Sequence, residues 1–292
     1  MTPSNFASLS IRLVTLNIRY DTKNPGPGEE PWSVRCPRLC AQLRFITSSQ
    51  DSPFVCLQEV LHSQLTDVQT YLGPSWGRIG QGRKDGKEAG EYSPIFFRAD
   101  HWECERSRTF WLSPTPEVPS KGWDAALERV VTMGTFSHRR TGAVVTVMNT
   151  HFDHKGEVAR EESARLLLKL ASTWPGERAP RLSTPVFLGG DFNSTPTGRA
   201  YKVLTEPNSG MRDISDILPE VAKYGNKEIT FTSFGDDPNE HPARIDFLFV
   251  RGMGRLRFLS FGILANKFDD GVYLSDHRPV VADVEVPVQA TM

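Results

Sequence analysis

Three features are scarce in this sequence of 292 residues: long apolar runs, cysteine, and an excess of charge of either sign. No run of about eighteen apolar residues occurs, so no transmembrane helix is predicted. The N-terminus lacks a basic region followed by an apolar one, so no secretory signal is predicted either, and we expect an intracellular, cytoplasmic protein. Hydrophobic residues make up 38% of the chain, which suffices for a globular core.

The formal net charge is −1, from 34 basic and 35 acidic residues. Proteins that grip a long nucleic-acid duplex usually carry a basic surface, so this balance disfavours nucleic acid as the partner without excluding it. No feature of the sequence indicates an obligate protein partner. The four cysteines show neither zinc-site spacing nor a disulfide framework, so we predict free, mostly buried thiols at Cys36, Cys40, Cys56 and Cys104.

Short apolar runs alternate with helical patterns along the chain, which indicates one layered α/β domain over residues 11–287. Residues 1–10 are predicted to be a flexible N-terminus and residues 288–292 a tail. Long loops are predicted at 21–32, 83–91 and 113–124, and such loops often carry function. The predicted strands are 12–18, 54–58, 94–97, 130–136, 143–149, 186–188, 245–250, 257–264 and 280–286, and the clearest predicted helices are 34–48, 158–173 and 197–205.

Polar side chains stand at the end of several apolar runs, where a buried strand would deliver them to the rim of a sheet. Asp191 and Asn193 project to the same side of an extended strand, because side chains alternate with a period of two. Asp276 and His277 set a carboxylate beside an imidazole. The sequence therefore predicts a catalytic rim built from Thr15-Leu16-Asn17, Leu57-Gln58-Glu59-Val60, Gly189-Gly190-Asp191-Phe192-Asn193 and Ser275-Asp276-His277.

Each of these residues also has a structural interpretation. Glu59 could cap a following helix, and residues 191–193 could form a turn in which an aspartate side chain bonds its own backbone. A histidine at a strand end is often a satisfied structural residue. A different chemistry is also open, because His151-x-Asp153 with His277 has the letter pattern of a two-histidine, one-carboxylate iron site of an oxygenase. That interpretation leaves the other polar motifs without roles, and so does an inert binding module.

The four motifs, with Asn149-Thr150-His151 and Arg244-Ile245-Asp246 between them, resemble the endonuclease/exonuclease/phosphatase superfamily. This group includes DNase I-like nucleases, abasic-site endonucleases, deadenylases, sphingomyelinases and inositol-polyphosphate phosphatases. The resemblance covers residues 11–286. It implies a two-sheet, four-layer α/β sandwich of the DNase I-like type, with the active site at one edge. The implied chemistry is hydrolysis of a phosphate ester by water with the help of a divalent metal.

The oxygen-bearing side chains suit a hard cation such as Mg²⁺ or Mn²⁺. Glu59 is the best candidate for the main metal carboxylate, Asp276 for a second one acting through water, and Asn17 for a carbonyl ligand or a partner that orients water. Asp191 resembles the family residue that positions or deprotonates the attacking water. Asn193 resembles the amide that holds a phosphate oxygen or that water.

Two histidines have implied catalytic roles. An imidazolium stabilises charge on phosphoryl oxygens, and an imidazole transfers protons. Asp246 resembles the family aspartate that pairs with and orients His277. Glu91 lies where DNase I-like members have the glutamate partner of the earlier histidine, which is His151 here.

Two further strings, Gly-Arg-x-Asp-Gly at 82–86 and Gly-Trp-Asp-Ala-Ala at 122–126, resemble strings in small microbial and fungal members of the superfamily. Arg83 and Arg129 would suit an anionic ligand, Trp123 an aromatic wall, and Arg19 the phosphate side of the cleft. All four could instead belong to ordinary surface loops. We predict a compact phosphorylated molecule or nucleotide as the substrate, with DNA or RNA cleavage as the alternative.

Overall fold

A computed structural model describes residues 8–50, 52–174, 184–235 and 241–288. Its described part contains thirteen strands, five α-helices and one 3-10 turn at Glu220–Ala222. The strands are β1 (Ser8–Asn17), β2 (Pro53–Gln58), β3 (Trp76–Ile79), β4 (Ile95–Arg98), β5 (Trp102–Trp111), β6 (Val130–His138), β7 (Val144–His151), β8 (Val186–Asp191), β9 (Met211–Asp213), β10 (Lys223–Gly225), β11 (Asp246–Arg251), β12 (Arg257–Ile263) and β13 (Val280–Pro287). The helices are α1 (Trp32–Thr47), α2 (His62–Leu72), α3 (Glu157–Thr173), α4 (Arg199–Thr205) and α5 (Ile214–Ile217).

The strands form two sheets that pack face to face. The first has the order β10-β12-β13-β1-β2-β4-β3, and the second has the order β5-β6-β7-β8-β11-β9. In the first sheet β1 runs parallel to β2, and in the second β7 runs parallel to β8. Each parallel pair brings two carboxyl ends to one edge of its sheet, which is where the polar motifs stand.

Three apolar clusters account for the layering. Between the sheets, Phe136 lies 4.9 Å from Phe54 and 4.8 Å from Phe97, measured between ring centroids. A second cluster joins α1 and α2 to the outer face of the first sheet, and a third joins α3 and α4 to the outer face of the second. The order helix, sheet, sheet, helix confirms the predicted four-layer sandwich.

The sequence prediction missed α2, α5, β3, β5, β9 and β10. Most are short, and β5 is an edge strand whose central residues are exposed and charged, so it shows no apolar run. The buried stripe of α2, formed by Leu65, Val68 and Leu72, has the spacing of an amphipathic helix, which the sequence prediction left out. The predicted flexible N-terminus of residues 1–10 is too long, because β1 begins at Ser8. Residues 1–7 and 289–292 lie outside the described part.

All four cysteines are free thiols, as predicted, and three are buried while Cys104 is partly exposed. Cys36 and Cys40 pack one helical turn apart in α1, with their sulfur atoms 4.0 Å from each other. Among the described residues, no helix combines the length and the apolar character needed to cross a membrane.

The inter-sheet core generates a stability prediction. Phe136→Ala removes a fully buried ring that contacts aromatic side chains of β2 and β4. We expect a loss of about 3–5 kcal/mol in the free energy of unfolding, measured by urea denaturation, because a cavity remains between the sheets. The matched control is Phe45→Ala, whose ring is 81% exposed and should cost no more than about 0.5 kcal/mol. Equal losses in the two variants would contradict this assignment of the core.

Candidate active site

The polar motifs meet at one edge of the sandwich, where strands of both sheets end. Asn17 is the last residue of β1 and Asp191 the last residue of β8. The buried Asn17 amide donates from Nδ2 to Asp191 Oδ2 and to Glu59 Oε1, each at 3.0 Å. One side chain of the first sheet thus holds a carboxylate of each sheet.

Glu59 follows β2 in a left-handed backbone conformation, with φ of 59°, which a non-glycine residue adopts only when its surroundings hold it there. Its other oxygen, Oε2, accepts the backbone N–H of Tyr20 at 3.2 Å. Burial alone would raise the pKa of Glu59, but the Asn17 hydrogen bond and the Arg19 charge hold that pKa below its ordinary value. The helix-capping interpretation is wrong, because α2 begins at His62 and Glu59 bonds elsewhere.

The two carboxylate oxygens of Asp191 have different contacts: one closes a turn and the other faces two histidines. Its Oδ1 accepts the backbone N–H of Asn193 at 2.9 Å, so the predicted turn exists. Its Oδ2 lies 3.4 Å from His151 Nε2 and 3.7 Å from His277 Nε2, beside the Asn17 amide. Burial and the nearby Asp246 charge raise the pKa of Asp191 to about 7. Oδ1 therefore holds the turn, and Oδ2 faces both histidines. The carboxyl group as a whole has a pKa near 7.

His277 and Asp246 form the pair that the resemblance implies. His277 Nδ1 lies 2.8 Å from Asp246 Oδ2, and both residues are buried. Burial alone would lower the pKa of His277, but the carboxylates of Asp246 and Asp191 raise it well above its ordinary value. The ring is therefore a cation at neutral pH, with Nε2 turned toward Asp191.

His151, the last residue of β7, differs from His277 in its protonation state. Burial and the charges of Arg129 and Arg83 hold the pKa of His151 well below its ordinary value, so the ring is neutral. Its Nδ1 lies 4.0 Å from Glu91 Oε2, too far for a hydrogen bond. Glu91 instead accepts a hydrogen bond from Arg83 Nη2 at 2.7 Å. The two residues of the implied pair are adjacent but not directly bonded.

The donor set beside Asn17 fits a divalent cation. Asp276 is buried, and its Oδ1 accepts the Ser275 hydroxyl at 3.1 Å. Burial raises the pKa of Asp276; the His277 charge opposes this, and the Glu59 carboxylate adds to it. A buried carboxylate at Asp276 and a partly buried one at Glu59, which repel each other next to an amide, are the oxygen ligands that hard cations take.

A second group of possible ligand atoms lies deeper. Atoms of Asp191, Asp246 and His277 lie within 4.8 Å of one another. In this group His277 Nδ1 already faces Asp246 at hydrogen-bond distance, which occupies one of the ring nitrogens. Mg²⁺ and Mn²⁺ prefer oxygen ligands, and the predicted assignment of the ion to Glu59 and Asp276 stays a prediction beside this second group.

Two of the four residues predicted to contact substrate reach solvent. The Arg19 guanidinium pairs with Glu29 at 3.1 Å and stacks over the Tyr20 ring, so it is held at the start of its loop. Trp123 is 40% exposed in a left-handed conformation with φ of 50°. The neighbouring Asp124 accepts backbone N–H groups at the start of α3, which anchors the loop under the exposed ring.

The other two, Arg83 and Arg129, are buried. Arg83 pairs with Glu91, and the Arg129 Nε atom lies 3.5 Å from an oxygen of Asp153. Arg129 Nη2 lies 3.1 Å from His154 Nδ1. Both guanidinium groups are thus engaged inside the protein beside His151, and their direct contact with substrate stays a prediction.

The Asp153 side chain links two loops through hydrogen bonds to their backbone. Its carboxylate accepts four backbone N–H groups at 2.8–3.1 Å, two from each of two loops. This joins the turn after β7 to the loop that precedes β6. The oxygenase interpretation is wrong, because the carboxylate that it assigns to iron is already surrounded by backbone donors. The donors are Ala126, Leu127, Lys155 and Gly156.

Arg35 is a residue of the site's framework that sequence reasoning missed. Its buried guanidinium donates to the carbonyl oxygens of Ile18 at 2.8 Å and Leu274 at 3.0 Å. It thereby joins the chain just after Asn17 to the chain just before Asp276. An arginine on a helix normally indicates a solvated face, and only the apolar residues around it in α1 could have signalled burial.

Comparison with known proteins agrees with this geometry. The sequence model of the Endonuclease/Exonuclease/phosphatase family matches residues 14–277, and the chain belongs to this family of phosphoester hydrolases. No curated protein matches significantly. Among solved structures, a family member from Bacteroides vulgatus shares 38% identity, with a TM-score of 0.81 over 95% of this chain and 99% of the other.

Two further solved structures are informative. A mannosyl-6-phosphatase of Bacteroides thetaiotaomicron shares 29% identity, with a TM-score of 0.80 over 94% of this chain and 99% of its own. D. rerio TDP2 in complex with a single-strand DNA product shares 17% identity, with a TM-score of 0.71 over 95% of this chain and 99% of its own. The second likeness shows the shared fold alone.

The hydrogen bonds of the Asp153 carboxylate predict that its contribution to the free energy of unfolding depends on pH. Burial alone would raise the pKa of Asp153, but the backbone donors hold it well below the ordinary value of about 4. A depressed pKa contributes stability that is present above pH 4 and is lost as the pH falls below it. We expect Asp153→Asn to cost about 1.5–3 kcal/mol in the free energy of unfolding at pH 7 and clearly less at pH 3, measured by urea denaturation.

The control for this measurement is Asp269→Asn, a change at an exposed acid, which should leave stability unchanged at both pH values. A cost of Asp153→Asn that stays the same at pH 7 and pH 3 would show that the carboxylate charge contributes nothing.

Proposed function

We propose that the protein is a Mg²⁺- or Mn²⁺-dependent hydrolase of a compact phosphorylated molecule, with a phosphorylated sugar as the leading substrate class. One observation carries the proposal. Asp191 Oδ2 lies 3.0–3.7 Å from Asn17 Nδ2, His151 Nε2 and His277 Nε2, at the sheet edge that also holds Glu59. A proton acceptor, a cation and a carboxylate ligand thus converge on one point.

Glu59 and Asp276 would hold the metal ion, and Asn17 would fix the Glu59 carboxylate or orient a bound water. When bound, such an ion neutralises phosphate charge and makes water more acidic. The residues fit this role because the carboxylates of Glu59 and Asp276 interact electrostatically, and the Asn17 amide lies between Glu59 and Asp191.

The chain's own residues supply the remaining chemistry. With a pKa of about 7, Asp191 can take a proton from the attacking water at neutral pH, which is the range in which a general base is most effective. The His277 imidazolium faces the same point and would stabilise the charge that develops on the phosphoryl oxygens. The Asn193 amide would hold a phosphoryl oxygen or the water, and neutral His151, 3.1 Å from that amide, would accept a hydrogen bond from the water.

Two observations support a small substrate. The mannosyl-6-phosphatase is similar over nearly its whole length, and the net charge of −1 gives no basic footprint for a long nucleic acid. A single-strand or duplex nuclease is the second candidate. It rests on the fold shared with the DNA-bound structure, whose lower identity supports it less.

The metal assignment is tested by a pair of variants. We expect chelator to abolish activity and added Mg²⁺ or Mn²⁺ to restore it. Glu59→Gln should weaken metal binding, measured by calorimetry, because it removes a ligand charge. Asp191→Asn should keep metal binding while turnover falls by about 10²–10⁴-fold, because the proton acceptor is lost.

The reverse result would assign the metal to a different group of ligands. If Asp191→Asn abolishes binding and Glu59→Gln does not, the ion is held by Asp191, Asp246 and His277 instead. Full turnover in chelator would contradict metal dependence altogether.

Substrate class is tested by a panel of sugar phosphates, nucleotides, and single-stranded, duplex and abasic-site nucleic acids. We expect the highest kcat/KM for a sugar phosphate, with weak dependence on salt. A nuclease that neutralises six or more phosphates would lose roughly a thousandfold or more in affinity between about 50 and 200 mM salt. Such a steep salt dependence, with cleavage at catalytic concentrations, would replace the sugar phosphatase with a nuclease.

A further inference from the structure

A small pocket of about 10 Å³ adjoins His151. Three buried polar atoms of its lining residues have no hydrogen-bond partner among the described residues: Arg83 Nε, Arg129 Nη1 and His151 Nδ1. Such atoms are costly to leave unpaired, and a space of roughly this size is the least that holds one water. The pocket is lined by Arg83, Glu91, Tyr92, Ser93, Arg129, Val130 and His151.

The proton of His151 can be placed from its neighbours. The Asn193 Nδ2 atom faces the carbonyl oxygen of Phe152 at 3.1 Å, and since a carbonyl only accepts, this contact fixes the amide orientation. The same Nδ2 lies 3.1 Å from His151 Nε2, so Nε2 accepts and the ring proton sits on Nδ1. All three unpaired atoms are therefore donors.

Glu91 supplies the acceptor. Its Oε1 is bonded to Arg83, and its Oε2 lies 4.0 Å from His151 Nδ1, a gap too wide for a direct bond. The charges around the pocket balance, because Arg83 faces Glu91 and Arg129 faces Asp153. A balanced surrounding favours a neutral occupant over an anion.

We propose that one bound water links Glu91 to His151, and that Arg83 and Arg129 are positioning residues that hold this link. The water accepts the Nδ1–H of His151 and an N–H of one guanidinium, and it donates to Glu91 Oε2. His151 is thereby kept with its proton on Nδ1 and with Nε2 as the acceptor that faces Asn193 and Asp191. The water site stands on the geometry alone, whereas its effect on turnover rests on the proposed function.

The water site is tested by a high-resolution crystal structure of the unmodified protein, with crystals grown in bromide. We expect water density within hydrogen-bond distance of His151 Nδ1 and Glu91 Oε2, without an anomalous signal. An anomalous peak in the pocket would make it an anion site. A pocket without density, or a Glu91 carboxylate bonded directly to His151, would overturn the water link.

The effect on turnover is tested by filling the pocket without changing a charge. Val130→Ile adds one methylene to a side chain that lines the pocket. We expect kcat to fall roughly tenfold or more with KM unchanged, by analogy with the loss of the hydrogen-bond partner of a metal-bound histidine. The matched control is Val131→Ile, the next residue of β6, whose side chain faces the opposite side of the sheet.

Arg83→Met distinguishes positioning from substrate contact. A positioning role lowers kcat and leaves KM unchanged, whereas a residue that grips the substrate raises KM, and a rise in KM alone would overturn the proposal. Equal losses in Val130→Ile and Val131→Ile would overturn it too. If the unmodified protein hydrolyses no phosphate ester, the proposed function fails, and the crystal structure still decides whether the water link exists.

Discussion

The hydrogen bonds of Asn17 are the constraint on which the site depends. This buried amide donates to Glu59 in its own sheet and to Asp191 in the other sheet, while its oxygen accepts the backbone N–H of Arg19. Both donated bonds go to carboxylates, which makes them stronger than neutral hydrogen bonds. The relative position of the two sheets and the approach of the two acids are therefore set by the same side chain.

A second buried amide supports the first. Asn149 donates to the carbonyl oxygens of Leu57 and Pro94 and accepts from Gln58, so β7 is tied to the first sheet directly behind the catalytic edge. These bonds lie in the interior, where an unpaired amide would be costly. Asn149 and Gln58, which belong to the motifs that carry the family resemblance, thus hold the two sheets in register.

The two histidines differ in charge because their surroundings differ. His277 is flanked by Asp246 and Asp191, which raise its pKa, whereas His151 is buried near Arg83 and Arg129, which lower its pKa. A cation and a neutral ring therefore stand on either side of the Asp191 carboxylate. One edge of the sandwich thus holds a charged and an uncharged imidazole beside the same carboxylate.

The sequence alone determined the layered α/β fold and the place of the motifs at strand ends, because apolar runs and their polar ends are local patterns. It also predicted the partner of His277, through the resemblance carried by Asp246. The contact of Glu91 with Arg83 and the burial of Arg35 were decided by the tertiary structure. They depend on which charges and carbonyl groups from distant segments are brought within about 3 Å, and no local pattern in the chain records those distances.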